Sequence, residues 1–183
     1  MFFLFKRLRF AKKIYFILSS VFSLILVVLL SVFPVENLFS FFKTPEDVFN
    51  YCQKGEIEEI VCAEESCLIL YNTGKGKYSY MFVQKTNDGF SIMPSFSSKR
   101  ISNIIDQRGH FSIYTTGKSK DYYIIGVVGG AEQISDSNNQ VLNLLQIGDE
   151  NMSVKSYMVF GTIENYNESY HIVVDGENLF FSI

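Results

Sequence analysis

Residues 57–72 read IEEIVC-AEES-CLILYN. Two runs rich in Ile, Val and Leu, 57–62 and 67–72, flank the four-residue AEES. Runs of this length and composition around a short polar stretch predict two strands joined by a tight turn. Cys62 and Cys67 fall at the strand ends, with Glu64 and Glu65 between them. Facing positions of an antiparallel pair bring Cβ atoms to about 4.5–5.5 Å, close to disulfide geometry. Cys62 and Cys67 are therefore the disulfide candidate in an oxidising compartment, and strand-end thiols in a reducing one. A zinc site would need a second half, and the third cysteine, Cys52, stands alone. A redox pair is more usually C-x-x-C beside a βαβ unit.

Just upstream, TPEDVFNYCQKG predicts a short amphipathic helix over 45–53. Thr44 suits the cap, Pro45 the first turn, and Glu46 and Asp47 the positive helix end. Asp47 stands where Glu would complete a capping box. Gly55 is a natural stop, and Cys52 is expected on the inner face as a small buried hydrophobe.

Downstream the strand period continues. Residues 78–85 and 90–93 flank TNDG, in which Asp88-Gly89 is a hairpin signal. The stretch 94–109 reads as irregular, with one helical turn near 102–107. Residues 110–116 and 121–128 flank GKSK; 154–163, 170–174 and a short LFFSI strand follow, the last two around Asp175-Gly176. Within 136–151, VLNLLQI leans to strand. About eight to ten short strands with turns every 8–12 residues predict a mainly β (α+β) fold of antiparallel sheets, meander or sandwich-like. K-x-Y-x-Φ-Φ-G-x-Φ occurs at 120–128 and again at 155–163. Two half-buried strands, each with a glycine at a close approach, account for it more simply than a duplicated hairpin.

The other end of the chain is different in kind. Residues 14–35, IYFILSSVFSLILVVLLSVFPV, carry no charge. As a helix this run is about 33 Å long, enough for a hydrocarbon core of about 30 Å. Lys6, Arg7, Arg9, Lys12 and Lys13 precede it without an acid, giving +5. The remaining 11 basic and all 19 acidic residues lie beyond it, so the rest carries 11 − 19 = −8. The positive-inside rule assigns 1–13 to the cytoplasm, 14–35 to an uncleaved signal-anchor helix across the cell membrane, and 36–183 to an extracytoplasmic domain. A cleaved secretory signal is the alternative; the apolar run exceeds a signal core, and no A-x-A-like site follows it. Both readings export the domain. Phe39, Phe41 and Phe42 follow the run, either as an interfacial belt or as the start of the domain core.

No motif adds chemistry. TTGKSK (115–120) contains G-K-S, but Ser112 stands where a phosphate loop needs its first glycine. Neither 74–76 nor 126–131 gives G-x-G-x-x-G. His110 and His171 are the two histidines, without metal spacing. Asp136-Ser-Asn138-Asn-Gln140 begins like a calcium loop, but Val141 and Ile147 stand where glycine and glutamate are needed. Asn151 and Asn167 head glycosylation sequons, which matter only in a eukaryotic secretory route. The sequence thus assigns no catalytic, cofactor-binding or metal-binding residue. A −8 domain without a basic stripe excludes nucleic acid as an expected partner. In composition and layout the chain resembles small anchored envelope proteins of bacteria. The expectation is a non-catalytic surface module that binds, beyond the membrane, another protein, the cell wall or a small ligand. The alternative is an extracytoplasmic enzyme with a site assembled from scattered residues.

Overall fold

A computed structural model describes residues 2–32, 37, 40, 42–94, 97–117, 121–131, 133–148 and 154–181, with backbone alone for 2–13 and 30–32. The chain divides into two units, Met1–Phe39 and Ser40–Ile183.

The first unit holds one helix, α1 (Phe2–Val32). Its described side chains, 14–29, are exposed throughout, with Tyr15, Phe16 and Phe22 each at least two-thirds open. Ser20 Oγ donates back to the Phe16 carbonyl, which satisfies a hydroxyl within its own helix. Among the described residues, no helix is long and apolar enough to cross a membrane.

The second unit begins with α2 (Pro45–Cys52). Asp47, though shorter than Glu, closes the capping box: its carboxylate accepts from Thr44 N at 3.1 Å, and Thr44 Oγ1 accepts from Asp47 N at 3.2 Å. Four strands then form a meander, β1 (Glu56–Cys62), β2 (Ser66–Gly74), β3 (Lys77–Thr86) and β4 (Gly89–Ile92). The AEES tip is the β1–β2 turn, and Cys62 faces Cys67 directly. Asn87 and Asp88 make the β3–β4 loop, with Thr86 paired to Gly89, so the turn lies one residue earlier than the Asp88-Gly89 signal implies.

The second sheet runs in the order β5-β6-β7-β10-β9, built from β5 (Ser98–Ile105), β6 (Gly109–Thr116), β7 (Asp121–Gly129), β9 (Asn143–Ile147) and β10 (Ser156–Ile163). The third, β12-β11-β8, is small: β8 (Ile134–Asp136), β11 (His171–Val174) and β12 (Glu177–Phe180). Every pairing is antiparallel. The mainly β, antiparallel class is as expected, but the domain is four-layered rather than a plain sandwich. In order, the layers are α2, the first sheet, the second sheet and the third.

Side-chain alternation shows why. Along β2, Leu68 and Leu70 meet Phe82, Tyr123, Ile125, Met158 and Phe160 between the first two sheets. Ile69 and Tyr71 point the other way, to Val48 and Phe49 of α2 and to Phe42. Along β7, Tyr123 and Ile125 face the first sheet, while Ile124 joins Phe111, Ile113, Val159, Ile134 and Ile172 beneath the third. A strand covered on both faces has no polar face to show, so CLILY and YYII are unbroken apolar runs. Phe42 is thus a core residue; Phe39 and Phe41 lie outside the described residues.

A further expectation changes. Residues 98–105 form a strand, not an irregular stretch with a helical turn. Its register shifts between Arg100 and Ser102, so Ile101 and Ile104 pack on the same cluster although three apart. That bulge erases the period of two by which a strand is recognised. The two copies of the nine-residue pattern become neighbours, β7 and β10, with Tyr122 opposite Ile163 and Tyr157 opposite Val128. Each glycine sits at a close approach: a Cβ on Gly126 would strike the Phe111 ring and the His110 carbonyl, and one on Gly161 would meet Leu142 Cδ2 at 3.3 Å.

Candidate functional site

Cys62 and Cys67 stand opposite each other, with Cα atoms 4.0 Å apart and sulfurs at bonding distance. Ala63 N donates to the Ser66 carbonyl at 3.0 Å, closing the turn one pair further out. The cysteines therefore occupy a non-hydrogen-bonded pair, where side chains lie closest. Their burial is unequal: Cys62 is exposed, and Cys67 is 0% exposed. Cys52 sits on α2, half-buried against the helix–sheet cluster.

Beneath this hairpin lies a buried polar cluster, which sequence reading missed. Ser66, Thr116, Asp121 and Tyr123 are all buried, and they come from β2, β6 and β7. Ser66 Oγ lies 2.7 Å from Asp121 Oδ2, 2.7 Å from Thr116 Oγ1 and 3.0 Å from the Tyr123 hydroxyl. A carboxylate only accepts, so the Ser66 proton goes to Asp121. Thr116 and Tyr123 must then donate to the two lone pairs of Ser66, and its hydroxyl is saturated. The tip is gripped from the same side: Glu65 N donates to Asp121 Oδ2 at 2.9 Å, and Ala63 N to the Tyr123 oxygen at 3.3 Å. From β3, Lys85 Nζ donates to the Ala63 carbonyl at 2.7 Å, and Lys85 N to the Glu65 carbonyl at 2.8 Å. Burial pushes the Tyr123 phenol up to about 12, and the Asp121 charge beside it acts in the same direction, against the opposing pull of the Ala63 N–H.

Next to it, Tyr80 donates to Tyr114 at 2.7 Å, and Phe82 lies 5.3 Å from the Tyr123 ring. Burial, reinforced by the bond to Tyr114, holds the Tyr80 phenol above its usual range.

The histidines do not join this cluster. His110 is exposed on β6; His171 lies in the third sheet, its Nδ1 3.0 Å from the Ser169 carbonyl and its ring 4.9 Å from Phe180. Asp175 Oδ1 accepts from Gln133 N. The calcium-like stretch is a closed turn: the buried Asp136 carboxylate accepts from Asn138 N and Gln140 N, each at 2.9 Å. The Tyr170 hydroxyl, buried near that carboxylate, closes no hydrogen bond of normal geometry; burial first, and Asp136 next, raise its pKa. Gly117 turns the chain between β6 and β7, with Thr116 paired to Asp121, so GKSK joins two antiparallel strands; 118–120 lie outside the described residues. Asn167 Oδ1 accepts from Ser169 N and Oγ, while the Asn151 sequon is outside the described residues.

Two open clefts lie elsewhere. One of about 350 Å³ runs between Lys54–Glu56 and Asn72–Lys75. The other, about 570 Å³, is lined by Gly130, Gln133, Ser135, Val173, Asp175 and Gly176. Neither holds a histidine or a cysteine. Among the described residues, no three potential metal ligands cluster.

The arrangement defines a β domain in which a buried polar cluster holds the tip of a hairpin. Comparison with protein-family models, curated proteins and solved structures finds no match to this chain.

Proposed function

We propose that the chain is a membrane-anchored extracytoplasmic module: residues 1–13 in the cytoplasm, 14–35 through the membrane, and 36–183 outside as a binding or interaction domain. The observation that carries this reading is the 22-residue charge-free run behind five cations. Its described part is a helix whose large apolar side chains all stand exposed, a surface that water penalises and lipid does not. The cysteine pair supports the same side, because facing cysteines are kept joined in oxidising compartments.

Binding rather than catalysis is favoured by how the hydroxyls are used. A nucleophilic serine needs a base beside it and an open face. Ser66 has an acceptor beside it in Asp121 but no open face: it is 2% exposed, and Asp121, Thr116 and Tyr123 saturate its hydroxyl. The partner expected is another envelope protein or the cell wall, met by loops or sheet edges.

The test is membrane extraction combined with a C-terminal alkaline phosphatase fusion. Retention in the membrane after alkaline carbonate, with an active fusion, is the expected result. An inactive fusion, or release by carbonate, overturns the proposal.

A further inference from the structure

We propose that the Cys62–Cys67 bond is a thiol-exchange site, open in the native fold to an external dithiol that attacks Cys62 alone. Two observations carry this. The first is the asymmetry of burial. Cys62 ends an edge strand and is exposed; Cys67 is fully covered, on the same side of β2 as Ile69 and Tyr71, the side that α2 packs against. A thiolate attacking in line reaches the Cys62 sulfur, and Cys67 is the leaving group.

The second is that the hairpin does not depend on the bond for its shape. Ala63 and Glu65 have both backbone groups engaged, and Ser66 Oγ is saturated, all by partners other than the cysteines. Breaking the sulfur bond leaves these contacts in place. Cys67 then waits opposite Cys62, positioned to close the bond again.

The exchange balances as follows. A thiolate of the dithiol forms a bond to Cys62 Sγ; the Cys62–Cys67 bond breaks; Cys67 Sγ takes the electron pair and then a proton from solvent. The second donor thiol, deprotonated, attacks its own sulfur in the mixed disulfide and expels Cys62 thiolate, which is protonated in turn. The donor is oxidised by two electrons to a disulfide, and the protein pair is reduced to two thiols. The inference draws on the exported reading only for the oxidant that first joins the pair.

The test uses the full chain, purified in mild detergent, in a Cys52→Ser background. Reduction by dithiothreitol is followed by alkylation and mass spectrometry across sub-denaturing urea. Direct attack predicts a rate proportional to dithiol and changed less than about twofold by urea. Attack that waits for unfolding would accelerate about fivefold to a hundredfold per molar urea, following the unfolding slope. With glutathione as a single-thiol probe, the trapped adduct is expected on Cys62. An adduct on Cys67, a rate that climbs with urea, or a bond that resists reduction until the domain unfolds each overturns the proposal. Failure here leaves the topology reporter unaffected, so the two readings are tested separately.

Discussion

Replacing Ser66 with alanine is the sharpest probe of how the two larger sheets are held. The substitution removes one bond to a carboxylate, worth about 1.5–3 kcal/mol, and two between neutral groups, worth about 0.5–1.5 kcal/mol each. It also leaves the Thr116 and Tyr123 protons without their acceptor in the interior, where desolvation is not recovered. Asp121 loses less, because Glu65 N still donates to it. These terms are not additive, and the expected loss is about 3–4 kcal/mol, a large part of the roughly 5–15 kcal/mol that holds a domain together. The assay is urea unfolding of the full chain in mild detergent, followed by near-UV circular dichroism of the tyrosines, since the chain has no Trp. The midpoint should fall with little change in slope. A double-mutant cycle with Thr116→Val should show coupling between the two sites. A loss below about 1 kcal/mol, the range of an ordinary surface substitution, would refute the claim that Ser66 is the pin.

The remaining expectations are simpler. Gly126→Ala should destabilise by about 2–3 kcal/mol by overpacking against Phe111 and the His110 carbonyl, while Gly161→Ala should cost clearly less, because only the Leu142 side-chain tip must give; thermal unfolding of the pair decides this. Alkali should loosen the domain. Tyr123 holds its proton to about 12 when folded, against an ordinary 10.0, so its contribution is complete below pH 10 and is lost as pH rises toward 12. Tyr80 and Tyr170 shift in the same direction, and ultraviolet titration should show a late group of tyrosines, these three among them, ionising together with unfolding rather than before it.

Legibility in the sequence was uneven for physical reasons. The AEES turn, the α2 cap and the Asp175-Gly176 hairpin rest on local chemistry, so local reading finds them. Asp175 and Gly176 both have positive φ, as a tight two-residue hairpin requires. The strand over 98–105 was hidden by its bulge, and β8 by its length of three residues. The continuous run CLILY identified a strand, but which layer covers each face is decided by residues far away in the chain. The same holds for the Ser66 network. Thr116, Asp121 and Tyr123 lie 50 to 57 residues beyond Ser66, and nothing near Ser66 announces them. The nearest hint is Asp121, a carboxylate that opens an otherwise apolar strand opposite Thr116. In the cysteine pair, sequence supplied the partners; that Cys62 lies on an edge strand and Cys67 on an inner one comes from the sheet order.

The central claim is the side of the membrane on which the β domain lies. Asn178, exposed on β12, offers a place for a reporter cysteine in the Cys52→Ser background. Intact cells are treated with a membrane-impermeant maleimide, with cysteine at Phe2 as the comparison site. An extracytoplasmic domain predicts labelling of Asn178→Cys in intact cells and of Phe2→Cys only after lysis. The reverse pattern would contradict the account.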